Sequence, residues 1–186
     1  MSATTAAYRD LENLPARAIG ELFDGQLHAQ SRPAVPHVHA QSSMVISVGA
    51  PFHRGLGGPG GWVIYDEPEI HFKLDVDVAV PDLAGWRRER KLKFPTGHKI
   101  ELVPDWVCEI LSPSTRSIDR EIKLPLYARY GVSYAWLVEP IERLVEAYRL
   151  ADGAWVDAGR YGGTAQAAIP PFDVVPLDLG SLWMPT

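Results

Sequence analysis

Asp82 and Glu109 are carboxylates standing where apolar side chains are expected. In "DVDVAVPDL" (75–83), Val76, Val78, Val80 and Asp82 share one face of an extended chain, and Asp75, Asp77, Ala79 and Pro81 share the other. Asp82 therefore continues an apolar stripe, while Asp75 and Asp77 are expected to meet solvent. In "DWVCEIL" (105–111), Val107, Glu109 and Leu111 alternate with Trp106, Cys108 and Ile110. Both faces are apolar, so the segment reads as a central strand, and Glu109 faces a dehydrated environment. A buried carboxylate is tolerated when a cation or a hydrogen-bond donor meets it. Two such acids at neighbouring strand ends could hold a hard cation such as Mg2+, which takes one or two carboxylates, some waters and phosphate oxygens. The pattern alone favours the plainer reading, in which each acid caps a turn or pairs with an arginine at a strand end, and leaves the metal open.

Asp119, Lys123 and Tyr127 lie four apart, in one column on a helix. A lysine there could bind a phosphate or orient a water. Spacing alone favours a solvated Asp119–Lys123 pair. The run "WRRERKLK" (86–93) sets Arg87, Arg88, Arg90, Lys91 and Lys93 against one Glu, just after Asp82 in the chain. A basic loop beside an acidic pocket suits a phosphodiester, although charge runs are more often plain solvated surface. Other signals carry no chemistry. "GLGGPGG" lacks the Lys-Ser/Thr of a phosphate loop. His37 and His39 are two apart, which on a helix points them away from each other, with no cysteine pair for zinc. Cys108 has parity opposite to Glu109 and is expected in the core.

These residues need elements to position them. Residues 19–31 read as a hairpin turning at Asp24-Gly25. Residues 36–52 read as a helix with Pro36 in its first turn and Val38, Met44, Val45 and Val48 at helical spacing. "RGLGGPGG" (54–61) is a loop. Strands at 61–67, 69–74 and 75–83 are expected to form an antiparallel meander, followed by a polar loop with a short helical turn over 86–102. After the 105–111 strand, residues 112–131 carry Ile118, Ile122, Leu126 and Tyr130 four apart, a helix ending at Gly131, with Pro125 as its weak point. Strands follow at 133–140, 143–150 and 154–161, the last two joined through Asp152-Gly153. The tail is expected to pack on the sheet edge and end in a short helix. The fold class is α/β or α+β, a mixed sheet with helices, in a single domain over residues 1–186.

Composition narrows the class. The chain has 186 residues, 46% hydrophobic and 22% charged, as in an ordinary globular protein. No apolar run reaches the roughly 18–20 residues of a membrane span. The N-terminus lacks the basic start and apolar stretch of a signal peptide. One cysteine excludes an internal disulfide framework. Together these favour a cytoplasmic protein without membrane attachment. A net charge of −5 makes any nucleic-acid surface local rather than global.

"GELFDGQL", "VPDLAGWRRER" and "PDWVCEILSPSTRSIDREIKLPLYARYGVSYAWLVEP" together resemble the Uma2 (DUF820) family of bacterial endonucleases, within the PD-(D/E)XK superfamily and its restriction-endonuclease-like fold. The likeness runs from about Gly20 to Trp183 and is most specific over 104–140. It implies a Mg2+- or Mn2+-dependent endonuclease acting on DNA, and a homodimer. It assigns Asp82 and Glu109 as metal ligands, with the backbone carbonyl of Ile110, and Glu21 as a further acid near the metal. Arg87, Arg88 and Arg90 would contact nucleic acid. The motif's lysine is expected two residues past Glu109, where this chain has Leu111. Lys123 is the implied substitute, reaching in from the following helix. If Leu111 instead marks a lost function, the chain is a decayed nuclease that binds DNA or a protein partner.

Overall fold

The computed structural model describes residues 8–15, 18–30 and 32–185. Ser31, the last residue of the expected hairpin, and the chain start before Tyr8 lie outside them. The short helix α1 (Tyr8–Glu12) leads into β1 (Ile19–Phe23) and β2 (Gln26–Gln30). Asp24 and Gly25 both have positive φ, 49° and 71°, the backbone twist that a two-residue hairpin turn requires. Helix α2 (Val35–Val48) starts with Pro36 in its first turn and continues as one wider π turn, Gly49–His53. It buries Ala40, Met44 and Val48, but leaves Val38 and Val45 exposed.

The expected meander forms only between its last two strands. Strands β3 (Trp62–Asp66), β4 (Ile70–Lys73), β5 (Asp77–Ala79) and β6 (Leu83–Arg87) divide between two sheets. A four-stranded sheet has the order β2-β1-β5-β4. β3 skips its neighbour in sequence and pairs antiparallel with β6. The physical reason lies at Pro81, which has no N–H to give a ladder, so the run 75–83 breaks there. Asp82 is left at the hinge between the sheets. Parity along an unbroken strand also misplaced Asp77, which is 1% exposed rather than solvated. It accepts hydrogen bonds from Arg129 Nη2 at 2.9 Å, Tyr130 Oη at 2.6 Å and the Asp24 amide at 2.9 Å.

After a short 3-10 turn, Arg88–Arg90, comes β7 (Trp106–Ile110), buried at every residue. The helix that follows covers residues 116–129 in three pieces: α3 (Arg116–Ile118), a π turn (Asp119–Lys123) and α4 (Leu124–Arg129). Pro125 cannot donate to the ladder, and the turn before it widens, with the Leu124 amide reaching back to the Asp119 carbonyl. The helix carries the chain over to β8 (Tyr134–Glu139), parallel to β7. Strands β9 (Leu144–Ala151) and β10 (Ala154–Gly162) close a six-stranded sheet of order β10-β9-β8-β7-β6-β3. A small pair, β11 (Gln166–Ala167) and β12 (Leu177–Asp178), precedes a 3-10 turn, Leu179–Leu182.

Layers cover both faces of the large sheet, which explains the two-sided apolar pattern of β7. On one face α2 and the tail bury Trp106, Cys108, Trp136 and Phe172. The tail thus lies over a sheet face rather than at its edge, because Phe172 packs edge-on against Trp62, Trp106 and Trp136. Burial pushes the Cys108 thiol well above its usual pKa, as suits a packed side chain. On the other face, Trp86, Val107 and Ala135 pack against Leu126 and Tyr127 of the helix. No helix among the described residues is long and apolar enough to cross a membrane.

Candidate active site

Leu83 of β6 pairs with Cys108 of β7, so the next step of that antiparallel register sets Asp82 against Glu109. Both acids line one cleft of about 20 Å³, room for a single water or small ion. Asp82 Oδ2 accepts the Ile110 amide at 2.6 Å, and Oδ1 lies 3.1 Å from His37 Nε2 of α2. Glu109 is 2% exposed. Its partners are Lys123 and the hydroxyl of Tyr127, and among the described residues neither Asp82 nor Glu109 pairs with an arginine.

The solvated Asp119–Lys123 pair that spacing favours does not form. The π turn directs both side chains inward, and Lys123 is 1% exposed. Its ammonium lies 2.9 Å from Glu109 Oε1, 3.0 Å from Glu21 Oε1 and 3.2 Å from the Val80 carbonyl, with Asp119 at 3.8 Å. Three protons thus find three acceptor groups close by. Glu21 arrives from β1 of the other sheet, fully buried, and also accepts the Val80 amide at 2.8 Å and the Gln30 side chain. The Lys123 ammonium therefore ties both sheets to the helix.

One ammonium faces Glu21, Glu109 and Asp119, with Asp82 beside them, and burial dominates the titration of Glu109 and Asp119. Burial pushes Glu109 well above the usual carboxylate range, against the pull of Lys123. Burial likewise lifts Asp119 to about 6. Burial works against a charged Lys123, but Glu109 and Glu21 outweigh it, and the ammonium keeps its proton. His37 follows the same logic: burial opposes its protonation, while the hydrogen bond and charge of Asp82 raise its pKa.

The basic loop stands elsewhere. β6 starts beside Asp82 and ends at Arg87, so Arg87, Arg88 and Arg90 lie a strand length away, roughly 15 Å. Their donors are largely engaged. Arg88 Nε bonds the Trp62 carbonyl at 2.8 Å, Arg90 Nη1 bonds the Val103 carbonyl at 2.9 Å, and the Arg87 guanidinium stacks 4.8 Å from the Trp62 ring. Sequence adjacency to Asp82 did not translate into adjacency in space.

The family model Uma2, described as "Putative restriction endonuclease", matches residues 6–179. The chain belongs to the Uma2 family. A crystal structure of "a putative nuclease belonging to DUF820" from Anabaena variabilis ATCC 29413 superposes with a TM-score of 0.73 at 19% identity, covering 95% of this chain and 96% of that one. At that identity the likeness speaks for the fold, a restriction-endonuclease-like core with a central mixed sheet and added antiparallel hairpins. No curated protein matches the sequence.

Among the described residues of this Uma2 chain, no three His, Cys, Asp or Glu side chains form a ready-made metal cage. Mg2+ does not require one, since it keeps several waters and takes one or two carboxylates with substrate phosphate oxygens. Asp82 and Glu109 across a one-ion cleft, with Ile110 lining it, fit that donor set. Excess carboxylate over ammonium fits it too. Gln30 carries no signal in the sequence; Tyr127 stands in the Asp119–Lys123–Tyr127 column without a role of its own, and His37, set aside for zinc, meets Asp82 only because α2 carries it there.

Proposed function

We propose that this chain is a divalent-metal-dependent endonuclease that hydrolyses phosphodiester bonds of DNA. One observation carries this: three carboxylates, Glu21, Glu109 and Asp119, converge on one buried ammonium, and Asp82 lines the same ion-sized space. Asp82, Glu109 and the Ile110 carbonyl would hold the cation, which when bound supplies Lewis-acid character at neutral pH. Lys123 is a fixed positive charge rather than a base, because its carboxylate partners hold its proton. It orients a water or steadies charge building on the phosphate. Glu21 and Tyr127 fix the positions of Lys123 and Glu109. Lys123 thus stands in for the lysine absent at Leu111, which favours catalysis over the decayed, binding-only reading.

The test is cleavage of plasmid DNA by the purified chain. Nicking with Mg2+ or Mn2+, stopped by chelator and by Asp82→Ala or Glu109→Ala, is the expected outcome. Retention of DNA without cleavage, indifferent to chelator, would favour the binding-only reading.

A further inference from the structure

A second ionic cluster lies on the same face of the large sheet. Glu109 pairs in register with Leu137, Leu137 with Glu146, and Glu146 with Arg160. This row crosses β7, β8, β9 and β10 with all four side chains on one face. Glu146 is two strands from Glu109, about 10 Å. Glu139, two residues along from Leu137, shares the face. Both glutamates are buried, at 5% and 4% exposure for Glu139 and Glu146. Arg120 bonds both of them, Arg116 Nη2 lies 3.1 Å from Glu139, and Arg160 Nη2 lies 3.1 Å from Glu146. Arg143 projects from the β8–β9 turn, where its φ is 54°. Together these residues line an open groove of about 590 Å³ with Glu142.

Two buried glutamates facing a helix are a poor way to gain stability, since apolar residues of similar size usually do as well or better. They do hold guanidinium groups in fixed orientations, because each carboxylate accepts from one side and leaves the other donors free. Arg116 and Arg160 are 52% and 62% exposed, so those free donors face the groove mouth. We propose that Arg116, Arg143 and Arg160 form a seat for the phosphates of a DNA backbone beside the cleft, with Glu139 and Glu146 setting the guanidinium orientation. The proposal rests on the nuclease reading above. Phosphates rise about 3.4 Å per nucleotide along a strand, so the groove lies within a few nucleotides of the Asp82–Glu109 cleft. Arg120 is a positioning residue, shared between the two glutamates. Arg87, Arg88 and Arg90 hold their own loop at the far end of β6.

The experiment is binding of a short labelled DNA duplex to the full chain in chelator, by fluorescence anisotropy across a salt series. The triple variant Arg116→Gln, Arg143→Gln, Arg160→Gln is expected to flatten the slope of log K against log salt by about 0.9 per arginine lost. Arg87→Gln with Arg90→Gln is expected to leave the slope unchanged. If the triple variant fails to fold, Arg143→Gln alone carries the test, with a slope loss of about 0.9 expected. An unchanged slope in a folded variant, or a slope carried by Arg87 and Arg90, overturns the seat, as does absence of binding by the unmodified chain. Cleavage by that same unmodified chain is read separately. Cleavage with an unchanged slope sinks the seat and leaves the nuclease, whereas slope loss without cleavage does the reverse.

Discussion

Two ionic clusters share the helix-covered face of one sheet and differ in which charge is outnumbered. At the cleft, Lys123 and the His37 imidazole face Glu21, Asp82, Glu109 and Asp119, and Lys123 is buried. In the groove, Arg116, Arg120, Arg143 and Arg160 meet the buried Glu139 and Glu146 and the exposed Glu142, and Arg116 and Arg160 reach water. The first arrangement is short of positive charge and closed around one small volume, which suits a compact divalent ion. The second has donors to spare and is open, which suits an extended polyanion. The same helix supplies Lys123 to one and Arg116 and Arg120 to the other.

The contrast makes unequal demands on stability. Lys123→Met leaves several buried carboxylates without their cation, and a loss of about 3–5 kcal/mol is expected in chemical denaturation. A loss below about 1 kcal/mol, the range of an exposed ion pair, would mean that the cleft is wetter and less coupled than its geometry indicates.

Asp119→Asn is expected to act in the opposite direction and more weakly. The Asp119 carboxyl titrates at about 6 in the fold against an ordinary 3.8. A raised carboxyl pKa adds nothing to the cost of folding below pH 4, where both states hold the proton. The cost grows as pH rises from 4 to 6 and stays near roughly 3 kcal/mol above that. Removing the charge should therefore raise stability at pH 7 by about 1–3 kcal/mol and change little at pH 4. Equal effects of Asp119→Asn at both pH values would contradict a carboxyl whose pKa is raised by burial first and by Asp82 and Glu21 second.

Much of the cleft was legible in the sequence because Asp82 and Glu109 each interrupt an apolar stripe. Asp82 and Glu109 stand out against valines, and Lys123 stands in a column with Asp119 and Tyr127. What was not legible depends on non-local pairing. The partnership of β3 with β6 and the break at Pro81 decide that Arg87 ends up far from Asp82 and that Asp77 is covered. Glu139 and Glu146 look like ordinary strand residues until the β8–β9 register and the widened turn before Pro125 bring Arg116 and Arg120 over them. The tail gave a similar lesson: its short final helical turn was readable, but Phe172 finding a cage of tryptophans was not.

The most direct measurement is a titration of the metal-free chain with Mn2+, followed by electron paramagnetic resonance or calorimetry without DNA. One Mn2+ per chain is expected, lost in Asp82→Asn and retained in Arg160→Gln. No binding at millimolar Mn2+, or binding that survives Asp82→Asn, would contradict a cation seat between Asp82 and Glu109.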